Sequence, residues 1–443
     1  MKILLISNSA RGEAIAEALA RSPSKPEIIA ASTVKSPGLL RMCSEVHVID
    51  IMNFELIGAL AKAKKPDFAF IAPDDPIGAG LADYLEEMGI KSVAPKKALA
   101  RIEASKGFTR ELMKKHEVDA SPLFRSFGKS ATDDNIRSYI EGDLHSEYVV
   151  KYDALRGGKG VKVSGDHLQS IDEGVAYARE CIDECGSVVI EEKLVGVEFS
   201  LLSFVSGETA IDMPAVQDHK RAYEGDLGPN TGGMGTYSDS NHSLPFLTDS
   251  HLKEASLINT QIAKALLLEC GEPYVGILYG GFIVTKKGVK VIEYNARFGD
   301  PEALNVLSLL SSDFVKICQS LIDGTLSSDL VQFEKKATVC KYIVPKSYPD
   351  AKNEKGQRMV IPKDVPDSVR LFYGDVTQDD GENVLLGGSR SLGIVGIGKT
   401  IEEAERAAEE FAKKIGGPVR YRRDIGTKEL IDSKVRATKT NEE

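Results

Sequence analysis

The sequence predicts an α/β chain of several domains (α+β overall), with an open parallel sheet at its N-terminal end and mixed β/α structure after it. Three observations lead there. The first hundred residues alternate short apolar runs with stretches of helical periodicity, the pattern of parallel strands joined by crossover helices. Beyond them the chain runs strand after strand, punctuated by glycine-rich turns and fewer helices. Its 443 residues also exceed what one hydrophobic core usually organises, so two to four domains are expected.

Taken in order, residues 2–7 (KILLIS), 46–50 (VHVID), 68–72 (FAFIA) and 91–94 (KSVA) read as strands. Helical periodicity separates them, most clearly over 12–21, 53–63 and 78–89. Ligands on such a sheet collect at the carboxyl ends of its strands, which makes Ser7–Glu13 and Pro73–Pro76 a candidate site. A second unit begins near Ile102, with a helix at Lys106–His116, a strand at Tyr148–Tyr152 and a glycine-rich loop at Gly157–Gly160. A helix over 168–185, a strand at Val188–Lys193 and hairpin strands to about Ile211 come next. Gln217–Tyr237 reads as a long polar loop, followed by a helix over 249–269 and strands at Gly276–Thr285 and Val289–Tyr294. From about residue 325 strands and glycine-rich turns return. The last clear helix starts at Thr400, where Thr400 and Glu403 have capping-box spacing, and Lys434–Glu443 reads as a polar, frayed tail.

Hydrophobic residues at 42% and charged residues at 28% describe a soluble globular chain. No apolar run is long enough to span a bilayer, and the one at the start is too short for a signal peptide, so no membrane partner and a cytoplasmic location are expected. A formal net charge of −10 argues against a nucleic-acid partner, which needs clustered Lys and Arg. It leaves a nucleotide substrate open. Cys181 and Cys185 have i,i+4 spacing, but no second Cys or His pair completes a metal site, so the six cysteines read as free thiols.

Four segments carry candidate chemistry. In KYDALRGGKGVK (Lys151–Lys162), glycines let backbone N–H groups approach phosphate oxygens and Lys159 adds a mobile positive charge. A plain hairpin turn is the alternative; a Walker A loop is excluded, because no Ser or Thr follows the lysine. In VVIEEKLVGVE (Val188–Glu198), a strand edge can offer N–H and C=O groups to an adenine ring, and a carboxylate beyond it can hold ribose hydroxyls. Taken alone, those residues fit an amphipathic hairpin better. In IEYNARFGDPE (Ile292–Glu302), Glu293 and Asn295 lie two apart on a strand and so face one side. Their oxygens suit Mg²⁺, and Arg297 can pair with a carboxylate or phosphate. Finally, Gln217–Tyr237 (QDHKRAYEGDLGPNTGGMGTY) is longer than a connection needs, and such loops tend to be functional or disordered. His219 within it reads as a hydrogen-bonding group more than a base.

These segments, together with YRRDIG (Tyr421–Gly426), occur in the order seen in phosphoribosylamine–glycine ligases, and the chain resembles that family of the ATP-grasp superfamily over nearly its whole length. QDHKR with GPNTGGMG, and NxRFGDPE, are specific to that family. The resemblance implies an N-terminal domain over 1–101, an ATP-grasp domain over 102–325 with a lid subdomain at about 121–190, and a C-terminal domain over 326–443. It implies that glycine is joined to phosphoribosylamine with ATP as co-substrate and Mg²⁺ or Mn²⁺ as the metal. Its partners are then small molecules, and the chain is expected to be a monomer or weak homodimer.

Carried onto this sequence, Lys106 and Lys151 contact the ATP phosphates, and Gly157, Gly158, Lys159 and Gly160 close over them. Glu191, Glu192, Leu194 and Val195 supply the adenine hinge, and Glu198 holds the ribose. Glu293 and Asn295 ligate the metal. Arg297, Lys151, Asp218 and Lys220 are the implied catalytic residues. Asn8, Arg11, Asp74, Asp218, Asn230, Gly232, Gly233, Arg297 and Asp300 border glycine and phosphoribosylamine.

Two loops depart from the family pattern. Ser7-Asn8-Ser9-Ala10-Arg11-Gly12-Glu13 stands where the family has a glycine-rich turn followed by Arg-Glu-His, and only Arg11 matches. Ala72-Pro73-Asp74-Asp75-Pro76 stands in place of Gly-Pro-Glu-Ala-Pro. Both loops face the phosphoribosyl group in the implied arrangement, so a ligase using another amine is the alternative within enzymes. An ATP-binding protein without turnover is opposed by the intact Lys151, Glu293 and Asn295. A dinucleotide dehydrogenase is opposed by the lack of GxGxxG after the first strand.

Overall fold

The computed structural model describes residues 1–156, 160–350 and 353–442. Gly157, Gly158 and Lys159, assigned above to the phosphate loop, lie outside the described residues. The first unit is a fully parallel sheet of β1 (Lys2–Ser7), β2 (Glu27–Ser32), β3 (Glu45–Val48), β4 (Phe68–Ile71) and β5 (Ser92–Val93), in the order β3-β2-β1-β4-β5. β2 is an addition to the sequence reading. Ile28 to Ser32 are all buried, and a strand covered on both faces carries no polar alternation to announce it. Strand order reverses between β1 and β4, so the crevice at their carboxyl ends is the switch point where ligands bind on such sheets. Residues 7–13 and 73–76 sit there. The single helix expected over 78–89 is two, Asp74–Ala79 and Leu81–Glu87, parted by Gly80 at φ +99°.

Next come β6 (Phe124–Gly128), β7 (Tyr148–Tyr152), β8 (Val161–Val163) and β9 (Ser187–Glu192), an antiparallel sheet in the order β6-β9-β7-β8. The helix Ile171–Cys185 packs on it, and residues such as Phe127, Tyr139, Ile182 and Ile190 form a core of its own. A second antiparallel sheet takes β10 (Val197–Ser206), β11 (Thr209–Asp212) and two later strands. Two β-rich lobes with separate cores therefore face one another.

The segment expected as a polar loop is more ordered than its composition suggests. It forms β12 (Gln217–Asp218), β13 (Arg221–Tyr223), β14 (Leu227–Asn230) and β15 (Gly235–Ser238). β13 and β14 make a small hairpin, whereas β12 and β15 join a sheet with the C-terminal region. Then β16 (Val275–Thr285) and β17 (Gly288–Asn295) complete the second lobe in the order β11-β10-β16-β17. The remaining strands are β18 (Ala337–Pro345), β19 (Arg358–Met359), β20 (Val369–Tyr373), β21 (Val376–Gln378), β22 (Val384–Leu386), β23 (Leu392–Gly398) and β24 (Val419–Arg420). The C-terminal sheet runs β12-β15-β18-β23-β20, with β24 paired to β18.

Two terminal features correct the sequence reading. Thr400 caps its helix by accepting from Glu403 N at 3.2 Å, but the Glu403 carboxylate accepts from Lys399 N and not from the cap residue, so half of the expected box forms. The supposed frayed tail is helix Lys428–Glu442. Ile431, Val435 and Thr438 recur on one helical face and pack inward, and Lys434 reaches Asp226 at 2.7 Å. One apolar stripe and one ion pair suffice to dock it. All six cysteines are free, and no helix among the described residues is long and apolar enough to cross a membrane.

Glu13 links the first domain to the last. Its carboxylate accepts from the Ser36 hydroxyl, from Gly38 N at 2.9 Å and from Tyr373 N of β20 at 2.6 Å. Burial pushes this carboxyl up to about 7, against the pull of those donors. The folded chain thus keeps a proton that the unfolded chain releases near 4.5. Its contribution is present in full below 4.5 and lost as pH rises through about 7. A rise of that size corresponds to roughly 3 kcal/mol. The thermal midpoint of the wild type is therefore expected to fall relative to that of Glu13→Gln between pH 4.5 and 7.5; parallel curves would reject the assignment.

Candidate active site

The centre of the cleft is built on the end of β17. Glu293 and Asn295 fall on one face of this strand, as their spacing predicts. Lys220 Nζ lies 3.7 Å from Glu293 Oε1. Burial alone would raise the Glu293 carboxyl, but Lys220, Lys106, Lys151 and Arg297 hold it down at about 2. Lys220 is shifted the opposite way: burial pulls it down, yet Glu293, Glu198, Asp218 and Glu302 raise it overall. Around one ionised carboxylate the fold has gathered three lysines and an arginine, more positive charge than Glu293 can neutralise.

Lys151 reaches this centre from the end of β7. Its ammonium lies 2.7 Å from Glu191 Oε2 and donates to Ile292 O at 2.8 Å. Arg110, from the helix Lys106–Lys115, holds the same Glu191 with Nε at 2.7 Å and Nη2 at 3.0 Å, and donates to Ile292 O at 2.7 Å. The three charged groups are almost wholly buried. Burial lowers Lys151, while Glu191 opposes that fall. Glu191, read as part of an adenine hinge, thus has its carboxylate turned inward on Arg110 and Lys151. Its backbone belongs to β9, between β6 and β7. Lys106 donates to Glu103 O at 3.1 Å.

A second cluster lies at the switch point of the parallel sheet. Arg297 pairs with Glu103 at 2.8 Å and donates to Asn295 Oδ1 at 3.1 Å. Arg11 Nη1 donates to Phe298 O at 2.7 Å, Nη2 lies 3.9 Å from Asp74, and Arg11 N is 3.3 Å from Asp300 Oδ2. Asp300 also accepts from Tyr342 OH at 2.5 Å. The loops after β1 and β4 therefore meet the segment after β17. Ser7 Oγ, Ser9 Oγ, Arg11 Nε and Arg297 Nε are buried with no hydrogen-bond partner among the described residues. Four polar atoms left in that state point to a polar ligand in the crevice.

Asp218 stands at the mouth of this cluster. A Cβ on Gly233, whose φ is +113°, would come within 2.6 Å of Asp218 Oδ1 and 2.7 Å of Pro301 Cδ, so only glycine brings these segments so close. Burial, then Glu302, pushes the Asp218 carboxyl well above its usual range. His219 is buried against Tyr237, and burial draws its imidazole down to about 4, so it is neutral near pH 7.

The remaining residues are placed less centrally. Glu192 accepts from Leu123 N at 2.9 Å, Leu194 is half-buried, and Val195 and Glu198 are exposed along the rim from β9 to β10. Asn230 is exposed at the end of β14, Gly232 packs against the Arg390 guanidinium, and Asn8 is half-buried after β1. Gly160 O accepts from Tyr152 N at 2.8 Å beside the phosphate loop. Glu302, the last residue of the Ile292–Glu302 segment, accepts from Tyr279 OH at 2.5 Å. The sequence reading missed Glu103, Arg110 and Arg390, whose partners lie far along the chain and which no local motif marks.

One carboxylate and one amide oxygen suit Mg²⁺ or Mn²⁺ bound jointly with phosphate oxygens and water. Among the described residues no group of three or more His, Cys, Asp and Glu side chains forms a self-sufficient metal cage.

Comparison with known proteins agrees. Residues 104–303 match the ATP-grasp (A) domain of phosphoribosylglycinamide synthetase, residues 1–103 its N domain and residues 338–428 its C domain. The phosphoribosylamine–glycine ligase of Methanococcus maripaludis strain C7 is 44% identical over 448 residues, covering 99% of each chain. That of Methanocaldococcus jannaschii is 44% identical over 449 residues, covering 100% of this chain and 99% of its own. The crystal structure of phosphoribosylamine–glycine ligase from Thermotoga maritima superposes with a TM-score of 0.79 at 28% identity, over 96% of this chain and 100% of that one. A biotin carboxylase domain from Hydrogenobacter thermophilus, at 15% identity and a TM-score of 0.73 over 99% and 97%, shares the fold. Fold and cleft define an ATP-grasp enzyme. Within that class the chain belongs to the phosphoribosylglycinamide synthetase family.

Proposed function

We propose that the cleft joins glycine to phosphoribosylamine, with Lys106, Lys151 and Lys220 around the ATP phosphates and Glu293 and Asn295 on the metal. The carrying observation is the convergence of Lys220, Lys106, Lys151 and Arg297 on the Glu293 carboxylate at the end of β17, a setting suited to polyphosphate with a divalent ion. Mg²⁺ or Mn²⁺ bound there would draw charge from the phosphate oxygens during transfer. A carboxylate oxygen of glycine attacks the γ-phosphorus and ADP leaves. The phosphoribosylamine nitrogen then attacks the acyl carbon of glycyl phosphate, inorganic phosphate departs with the C–O electron pair, and the nitrogen gives up its proton. Arg297 offsets the repulsion between the two reacting anions, and the Gly157–Gly160 segment covers the acyl phosphate against water. Glu192, Leu194 and Val195 face adenine and Glu198 the ribose, with Glu191 behind them holding Lys151, while Asn8, Arg11, Asp74, Asn230, Gly232, Gly233 and Asp300 border the other two substrates. A cytoplasmic monomer or weak homodimer is the proposed form. Mass spectrometry of a reaction with ATP, glycine and freshly made phosphoribosylamine tests the activity. Glycinamide ribonucleotide with stoichiometric ADP is expected; ADP formed only with a different amine would sink it.

The altered first turn gives a finer test. Ser9 caps the helix Ala10–Ala20 without a side-chain hydrogen bond, which leaves its buried hydroxyl with a donor to spare for a substrate phosphate. Ser9→Gly with Ala10→Gly removes that donor but lets the backbone approach more closely, effects of ~1 kcal/mol each. The apparent affinity for phosphoribosylamine should change while that for ATP stays put. An unchanged phosphoribosylamine KM would move the substrate phosphate to another loop.

A further inference from the structure

We infer that Arg390, contributed by the C-terminal domain, is a positioning residue that sets the distance between the two loops bordering the glycine and phosphoribosylamine sites. The inference rests on the site reading above. Arg390 lies in the turn between β22 and β23 and reaches into the cleft wall. Its Nη1 donates to Gly232 O at 2.8 Å, Gly233 O at 3.2 Å and Asp300 O at 2.6 Å. It also stands 3.4 Å from Asp300 Oδ1. One nitrogen therefore ties two segments that are far apart in the chain, one before β15 and one after β17.

The surroundings leave this guanidinium little freedom. Its carbon lies 4.7 Å from the centre of the Tyr342 ring, whose hydroxyl donates to the same Asp300. A Cβ on Gly232 would come within 3.0 Å of the guanidinium carbon and Nη2, so the planar group lies flat against glycine backbone. The clamp thus uses a feature that separates arginine from lysine: a flat cation that stacks on the Tyr342 ring and lies against Gly232 while one of its nitrogens donates to both loops. By fixing the Gly232–Gly233 turn over Pro301, it fixes Asp218 relative to Asp300. No ladder joins β14 or β15 to β17, so other contacts set that separation: Arg390, together with Tyr342, whose hydroxyl donates to Asp300 and whose backbone N–H donates to Met234 O.

Arg390→Lys keeps the charge and most of the volume but loses the plane that stacks on Tyr342 and lies against Gly232. Steady-state kinetics should show the KM values for glycine and phosphoribosylamine raised about tenfold or more, since small misplacements of binding groups carry costs of that order or larger. The ATP KM should stay within about twofold of wild type, because the proposed nucleotide contacts come from other segments. A lysine variant with all three KM values unmoved, or with all three raised together, overturns the inference. Asp300→Asn, measured alongside, separates the two levels. If Asp300→Asn raises a substrate KM and Arg390→Lys does not, the positioning role fails alone. If Asp300→Asn moves neither KM, the site reading fails, and the inference with it.

Discussion

Replacing Glu293 by Gln is expected to cut turnover by at least about two orders of magnitude at sub-millimolar Mg²⁺, with partial recovery as the metal is raised, since even indirect ligand contacts are worth roughly 10–100-fold in metal affinity. The amide keeps the shape and a hard oxygen but loses the charge that Lys220, Lys106, Lys151 and Arg297 hold in place. Asn295→Ala is expected to act in the same direction. It deletes an oxygen on the same strand face and also frees Arg297 Nη2 from its 3.1 Å contact. Titrating activity against Mg²⁺ in each variant reads the loss as a shifted midpoint, distinct from a fall at every metal concentration. Near-normal turnover at low Mg²⁺ in either variant would take that residue out of the metal site.

These two residues were legible because their signal is local. A period of two on one strand puts both side chains on one face wherever the strand goes. The parallel sheet was legible for the same reason, through its alternation of strand and helix. β2 escaped because Ile28 to Ser32 are buried on both faces and leave no polar side to mark the strand. The short strands at Gln217–Asp218 and Gly235–Ser238 escaped because their partners make them. Gly235 to Ser238 pair with Lys341 to Thr338, about a hundred residues later, and nothing in a Gly-rich stretch foretells that. The C-terminal helix escaped because its apolar stripe is thin and Lys434 needs Asp226 to complete its docking. In the site, charge signs were readable but pairings were not. Glu191 drew attention as a strand-end acid, yet its carboxylate is engaged by Arg110 and Lys151, 81 and 40 residues earlier in the chain, one from a helix and one from β7. A motif identifies which residues matter more readily than it identifies what each one touches.

That buried triad carries the other large expected effect. Glu191→Gln leaves Arg110 and Lys151 side by side in the interior with no anion between them. Removing one partner of a buried ionic group typically costs roughly 3–5 kcal/mol, because the remaining charge cannot be solvated. Arg110, Glu191 and Lys151 are 2%, 3% and 5% exposed, so water offers little relief. A clear drop in thermal midpoint should follow. The variant should also reveal how Lys151 keeps its proton. Burial and Arg110 already lower this ammonium, and Glu191, with a smaller pull from Glu293, opposes them. Without the carboxylate, Lys151 releases its proton at lower pH, and the ammonium proposed to face the phosphates is lost sooner as pH rises. The alkaline limb of the kcat profile should therefore move down by about one pH unit or more, the size of shift a neighbouring opposite charge produces. Activity should recover toward the acid side, where Lys151 is protonated again. Arg110→Met makes the opposite change: it removes the competing cation, leaves Glu191 paired with Lys151, and should push the same limb upward while still lowering stability. Limbs that stay in place in both variants would mean that Lys151 does not titrate in the working range, and would confine the triad to holding β7 and β9 against β17.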